Sequence, residues 1–299
     1  MSRQTFRHPF HPPRTAGTPA GYAGRLGMGN RTYVWGGGRV LVENTLFGVR
    51  DKVKDALDML REFEPEEGYY LAYSGGKDST VLLDLARRSG VKFDAHYNLT
   101  TVDPPELVRF IRTQPDVIIE SPEKTMWDLI IQNGIPPTQI IRYCCAELKE
   151  RGGIGRRVLT GVRREESVRR SKRQQVETCY RDGQKQYVHL VFHWSELDVW
   201  EYIHSRKLPY CSLYDEGFKR LGCICCPMGN NKNQLRDAER WPKFKAQYIR
   251  TFQRMVDKKL SEGGSYRFDW RTGQDVWDWW VRANPPKETD EAQQTIFEG

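Results

Sequence analysis

Residues 69–90 read YYLAYSGGKDSTVLLDLARRSG, and the order of features in this stretch decides the fold. A strand-like run ends at Tyr73, two glycines turn the chain, and a helical pattern opens around Asp78 and Ser79. Gly75 and Gly76 let a ligand approach the backbone with no Cβ in the way. A helix start presents free N–H groups and the positive end of its dipole to an anion. Lys77 adds a positive charge, Ser74 and Ser79 add hydroxyl donors, and Asp78 adds a carboxylate able to hold Mg²⁺ or orient the amides. Ser74, Gly75, Gly76, Lys77, Asp78 and Ser79 are therefore expected to bind phosphate. The loop is not the Walker pattern.

Outward from this loop, strands and helices alternate. Strand-like runs fall at 92–98, 116–119, 157–162 and 187–192, with helical patterns at 105–113, 124–133 and 145–151. Ser121-Pro122 is expected to start the helix over 124–133 and Gly134 to stop it. The alternation predicts an α/β fold: a doubly wound, mostly parallel sheet covered on both faces, with ligands beyond the carboxyl ends of its strands. Upstream, residues 1–30 read as a flexible basic arm and 31–42 as two short strands around a glycine turn. Val49, Val53, Leu57 and Leu60 place an amphipathic helix over 44–63. Downstream come a capping box at Ser195 and Asp198, a Cys-rich loop at 211–229 and a long helical region over 234–260. Trp270, Trp277, Trp279 and Trp280 follow. Three regions are expected: 1–43, a nucleotide-binding domain at 44–205, and a Cys-rich, helical extension at 206–299.

Lys and Arg outnumber Asp and Glu by 47 to 39, a net charge of +8 that favours polyanionic partners, nucleic acid or phosphorylated small molecules. Nine Trp, 14 Tyr and 12 Phe exclude wholesale disorder. No stretch approaches the ~18 apolar residues of a membrane span, and the first thirty residues show no secretory h-region. A cytoplasmic protein without a membrane partner is expected. Seven cysteines in such a chain point to metal or redox chemistry rather than a disulfide framework.

Residues 156–173 carry Arg156, Arg157, Arg163, Arg164, Arg169, Arg170, Lys172 and Arg173 against Glu165 and Glu166 alone. This run follows a predicted strand, so it opens at the carboxyl edge of the sheet. Arg163 and Arg164 are expected to grip substrate phosphates in bidentate fashion, and the cations of 169–173 to track a nucleic-acid backbone. Cys144-Cys145 and Cys223-x-x-Cys226 form a pair of pairs able to hold Zn²⁺ or an iron–sulfur cluster. Cys211 is the replacement ligand, and Cys225 the candidate free nucleophile.

SGGKDS resembles the pyrophosphate loop of the N-type ATP pyrophosphatases, the adenine nucleotide alpha hydrolase-like superfamily. Four further segments resemble its phosphoadenosine phosphosulfate (PAPS) reductase family: RYCCAELK (142–149), VLTGVRREESVRR (158–170), HWSELDVWEYI (193–203) and RLGCICCPM (220–228). The resemblance spans about 45–230 in the family's order. It implies an adenine nucleotide bound by the phosphate loop together with Gly161, Arg163 and Arg164. It also implies a 4Fe-4S cluster on Cys144, Cys145, Cys223 and Cys226, as in adenylylsulfate reductases. The chain departs from the family in reading His193-Trp194 for Asp-Trp, in displacing Asp103 from the family's D-T-G position, and in carrying no Cys after Cys226.

The expected chemistry is that of the ATP-cleaving members. A substrate oxygen attacks the α-phosphorus of ATP, with Lys77, Asp78, Arg163 and Mg²⁺ neutralising charge as pyrophosphate leaves. Sulfur transfer to the adenylated substrate follows, with a sulfur-donor protein as partner and nucleic acid as an acceptor, as in the DNA phosphorothioation enzymes of this family. Two rivals stand beside it: a reductase of PAPS or adenylylsulfate, and a nucleic-acid-binding subunit with a regulatory nucleotide site.

Overall fold

The computed structural model describes residues 26–28 and 31–33 by their backbone, and 41–46, 48–179, 185–266 and 268–282 in full. The basic arm expected over 1–30 lies outside the described residues, apart from the strand Leu26–Met28. Met1–Gly38 and Arg39–Gly299 are two compact units. In the first, Leu26–Met28 pairs antiparallel with Arg31–Tyr33, so this hairpin lies upstream of the glycine run expected to turn it. In the second, Val42–Thr45 pairs antiparallel with Gly48–Asp51. Val49 sits in that hairpin, 72% exposed, and is not part of the expected helix. The helix, α1 (Lys52–Glu62), starts late because the Asp51 carboxylate caps it, accepting from the amides of Val53 and Lys54.

The main sheet holds six strands: β1 (Tyr69–Ala72), β2 (Phe93–Asn98), β3 (Val117–Glu120), β4 (Arg157–Thr160), β5 (Val176–Thr178) and β6 (Gln186–His189). Their order is β3-β2-β1-β4-β6-β5. All neighbours run parallel except β5, which closes one edge antiparallel to β6. Tyr69, Tyr70 and Leu71 are buried in succession, so both faces of β1 are covered. The order grows outward from β1 through β2 and β3, then reverses through β4. The carboxyl ends of β1 and β4 therefore flank a topological switch point, where ligands of open α/β sheets bind.

α2 (Lys77–Ser89) follows β1 and packs against α1 and α7 (Glu196–Ser205). The Ser195–Asp198 capping box of α7 forms as read. α3 (Pro105–Ile111) and α4 (Met126–Asn133) flank β3 in sequence. α4 starts at a capping box of Thr125 and Asp128, not at Ser121-Pro122, and stops at left-handed Gly134. α5 (Tyr143–Leu148) and the single turn α6 (Val168–Ser171) precede the long helices.

The helical region expected over 234–260 is two helices, α8 (Asn231–Arg240) and α9 (Pro242–Ser261), because Pro242 cannot continue the ladder of α8 and instead opens α9. α10 (Gly273–Arg282) crosses α9 at Gly273, where a Cβ would lie 2.2 Å from the Ile249 carbonyl oxygen. That crossing buries Trp277 and Trp280 against Tyr248 and Phe252. Among the described residues, no helix is long and apolar enough to cross a membrane.

Candidate functional site

The loop after β1 makes its turn at Gly75, whose φ is +70° and where a Cβ would meet Leu107 at 2.6 Å. Within the loop, Ser79 Oγ donates to the Gly76 carbonyl (2.9 Å) and accepts from the Ser74 amide (3.2 Å). The Ser74 and Ser79 hydroxyls lie 3.0 Å apart. Gly76 caps α2 without a side chain. Across the switch point, the chain leaving β4 passes against the first turn of α2. A Cβ on Gly161 would sit 2.9 Å from the Asp78 carbonyl carbon.

Two buried cations meet here. Lys77, 3% exposed, donates from Nζ to the Lys219 carbonyl (3.3 Å) and lies 3.5 Å from Glu196 and 3.6 Å from Asp78. Arg163, also 3% exposed, donates from Nε to Asp78 Oδ1 at 2.5 Å and from Nη1 to Glu165 at 3.2 Å. The structure thus places Arg163 on a protein carboxylate and leaves the Arg164 side chain exposed beside it. Glu196 and Tyr214 complete the surroundings of Lys77, and the sequence reading missed both.

The basic run does not form one cationic stripe. Arg156 pairs with Asp94, Arg157 donates to the Phe63 carbonyl, Arg170 pairs with Glu166 and Arg173 with Glu177. Arg164, Arg169 and Lys172 stay exposed.

Cys144 and Cys145 lie on α5, and Cys223 and Cys226 in the loop before α8; all are free thiols. Cys223 and Cys226 both act on Cys144, and Cys223 and Cys145 on Cys226, so the two pairs are neighbours. The Cys144 thiol donates to Cys145, which lowers Cys145, aided by Lys149 and Arg142, and raises Cys144. Cys223, Cys226, Asp103 and Cys145 together raise Lys149. The C-terminal helices brace both limbs: Tyr248 donates to the Ile224 carbonyl (3.1 Å) and Trp280 Nε1 to the Pro137 carbonyl (2.6 Å). Among the described residues, no group of three or more His, Cys, Asp or Glu is gathered closely enough to hold one metal ion.

One expectation for the other cysteines fails. Cys225 is fully buried with φ +57°, its amide bonded to Asp237 (3.1 Å) and its thiol pushed up by burial, which suits no nucleophile. Cys211 is also buried, and burial raises its thiol.

With this geometry, the chain matches the family described as phosphoadenosine phosphosulfate reductase domain over residues 68–228 and belongs to that family. It is 31% identical to the adenosine 5'-phosphosulfate reductase of Geobacillus thermodenitrificans (strain NG80-2), over 67% of this chain and 91% of that protein. It is 26% identical to an uncharacterised protein of Methanocaldococcus jannaschii over 67% of this chain and 45% of that one, so it spans about half the length of that relative. Among solved structures, the phosphate complex of a Candida auris PAPS reductase is similar at 19% identity and a TM-score of 0.44, over 57% of this chain and 87% of that one.

Proposed function

We propose that the chain is an ATP-using member of its family that adenylates an acceptor. ATP enters as its Mg²⁺ salt with the β- and γ-phosphates at residues 74–79. An acceptor oxygen attacks the α-phosphorus in line, a P–O bond forms, and pyrophosphate leaves with the electrons of the broken P–O bond. Lys77 and the first amides of α2 stabilise the departing charge. Arg163 positions Asp78, and Gly161 lets the β4 loop close on α2. The observation that carries this reading is the buried Lys77 at an α2 N-terminus opened by Gly76, which has no capping side chain of its own, beside the Arg163–Asp78 pair at the switch point. Sulfur transfer to the adenylated acceptor follows, fed by a sulfur-donor protein. The exposed cations Arg164, Arg169 and Lys172 suit a nucleic-acid acceptor.

Cys144, Cys145, Cys223 and Cys226 would hold a 4Fe-4S cluster, which would supply electrons; an open iron for sulfur would need one of the four left off the cluster. The donor set fits in kind, four thiols beside Lys149. A zinc ion would need its thiolates about 3.8 Å apart, from Zn–S bonds of about 2.3 Å. A 4Fe-4S cluster instead offers each thiolate its own iron, so it asks for no such convergence on one point.

Pyrophosphate release on mixing with ATP and candidate acceptors tests the proposal. The second reading, two-electron reduction of adenylylsulfate to sulfite and AMP, is favoured by the 31% identity to a reductase of that substrate. It predicts sulfite release with a dithiol reductant and no pyrophosphate from ATP.

A further inference from the structure

We propose that Tyr214 determines which phosphate chains the 74–79 loop accepts, by competing with the distal phosphates for the first amide of α2. The inference rests on the nucleotide reading above and adds its selectivity.

Tyr214 ends a single 3-10 turn, Ser212–Tyr214, whose chain folds over the phosphate loop. Its hydroxyl accepts the Lys77 amide at 2.8 Å. A Cβ on Gly76 would lie 3.3 Å from that same oxygen, so the phenol fills the space directly over the glycine turn. The ring is held edge-on against Trp200, centroids 5.3 Å apart. The backbone is fixed on both sides: the Tyr214 amide donates to the Cys211 carbonyl and the Gly217 amide to the Tyr214 carbonyl, each at 3.1 Å. A few residues on, the Lys219 carbonyl accepts the Lys77 ammonium at 3.3 Å. One short segment of chain thus satisfies both the amide and the ammonium of Lys77.

A phosphate oxygen accepting the Lys77 amide has to stand where the Tyr214 oxygen stands, because both acceptors approach along one N–H at about 2.9 Å. Burial raises the phenol, so it meets the phosphate as a neutral hydroxyl. The adenosine and α-phosphate lie outside the loop in this reading, so only the distal phosphates meet the competitor. Tyr214 therefore disfavours ATP and pyrophosphate and leaves AMP untouched.

Tyr214→Phe keeps the ring against Trp200 and removes only the oxygen. The full chain and this variant are titrated by calorimetry with pyrophosphate, ATP and AMP, each with Mg²⁺. Losing one hydrogen bond to the competitor tightens pyrophosphate and ATP about three- to tenfold, with AMP changed less than about twofold. Unchanged or weaker pyrophosphate binding in the variant overturns the role of Tyr214 alone and leaves the nucleotide reading standing. Equal tightening of AMP overturns the selectivity. No binding of any of the three to either protein overturns the nucleotide reading and this inference with it. Tyr214→Leu, which also lacks the oxygen, carries the same test should the first variant fail to fold.

Discussion

Arg163 reaches from the loop after β4 to Asp78 in the first turn of α2, its Nε donating to Oδ1 at 2.5 Å. This bond ties together the two loops that flank the switch point. Removing the guanidinium loses a charge-assisted bond and leaves half-buried Asp78 with Lys77, 3.6 Å away, as its remaining cation, at a cost of about 1.5 to 3 kcal/mol. Arg163→Ala should therefore lower the urea midpoint markedly. Arg163→Lys should recover only part, since an ammonium lacks the guanidinium's fixed fork. A wild-type midpoint in Arg163→Ala would remove the pair from the account.

Gly161→Ala probes the same junction by volume. The added methyl would sit 2.9 Å from the Asp78 backbone, which is not a flexible side-chain end and cannot yield cheaply. The first turn of α2 must shift, so ATP affinity should drop by about tenfold or more, the equivalent of ~1.4 kcal/mol. Calorimetry reads the affinity. An unchanged value means the loop tolerates the methyl and the junction is loose.

The parallel sheet was legible because YYLAYSGGKDS sets a strand, a turn and a helix end to end, and the same alternation repeats downstream. β5 was not, since it spans only three residues, two half-buried and one exposed, in a polar stretch and pairs only at an edge. The helix break at Pro242 was legible in principle: a proline inside a helical pattern is itself the signal. Within the site, Lys77 and Asp78 come from adjacency in the motif. Tyr214 does not, standing 137 residues from the amide that it caps. The Lys219 carbonyl, a backbone group, has no side-chain signature at all. The neutralised part of the basic run was hidden likewise, because Glu177 lies beyond the cations that were read as a block.

His189 gives a pH dependence with a defined sign. Its ring is fully buried, with Nδ1 2.5 Å from the Thr160 hydroxyl and Nε2 3.4 Å from Glu177. Burial, then the charge of Arg173, lowers its pKa from 6.5 to about 4. The folded protein keeps it neutral while the unfolded chain protonates near 6.5, so stability is full above that value and is lost as pH falls toward about 4. Between pH 7 and about 4.5 the loss from this residue is roughly 2 to 3 kcal/mol. Urea unfolding of the wild type and His189→Gln at both pH values checks it. Identical pH slopes in the two proteins would contradict the assignment.

Trp280 joins the C-terminal helices to the loop before Cys144 through its bond to the Pro137 carbonyl. Trp280→Phe keeps aromatic packing but leaves that carbonyl without the indole donor, which costs about 1 to 3 kcal/mol. Loosening this limb should also speed alkylation of Cys144 and Cys145 by iodoacetamide relative to Cys211, as mapped by mass spectrometry. Equal acceleration at Cys211 would indicate general unfolding, not a loosened limb.

The last prediction concerns nucleic acid. Arg170 and Arg173 are committed to Glu166 and Glu177, whereas Arg169 and Lys172 are exposed on the same short stretch. A backbone contact made by this loop should therefore come from Arg169 and Lys172. Each phosphate contact on duplex DNA adds about −0.9 to the slope of log affinity against log salt. The Arg169→Gln/Lys172→Gln double variant should flatten that slope by about 1.8. ATP binding should be unaffected, because neither residue approaches the 74–79 loop through any hydrogen bond or ion pair among the described residues. Arg170→Gln/Arg173→Gln should change the slope far less, since those cations are already spent on carboxylates. Filter binding at several salt concentrations separates the pairs. Equal flattening by both pairs means that the carboxylate partners let go on binding, and no measurable duplex or single-strand binding in the wild type removes nucleic acid as the acceptor and leaves a small molecule in its place.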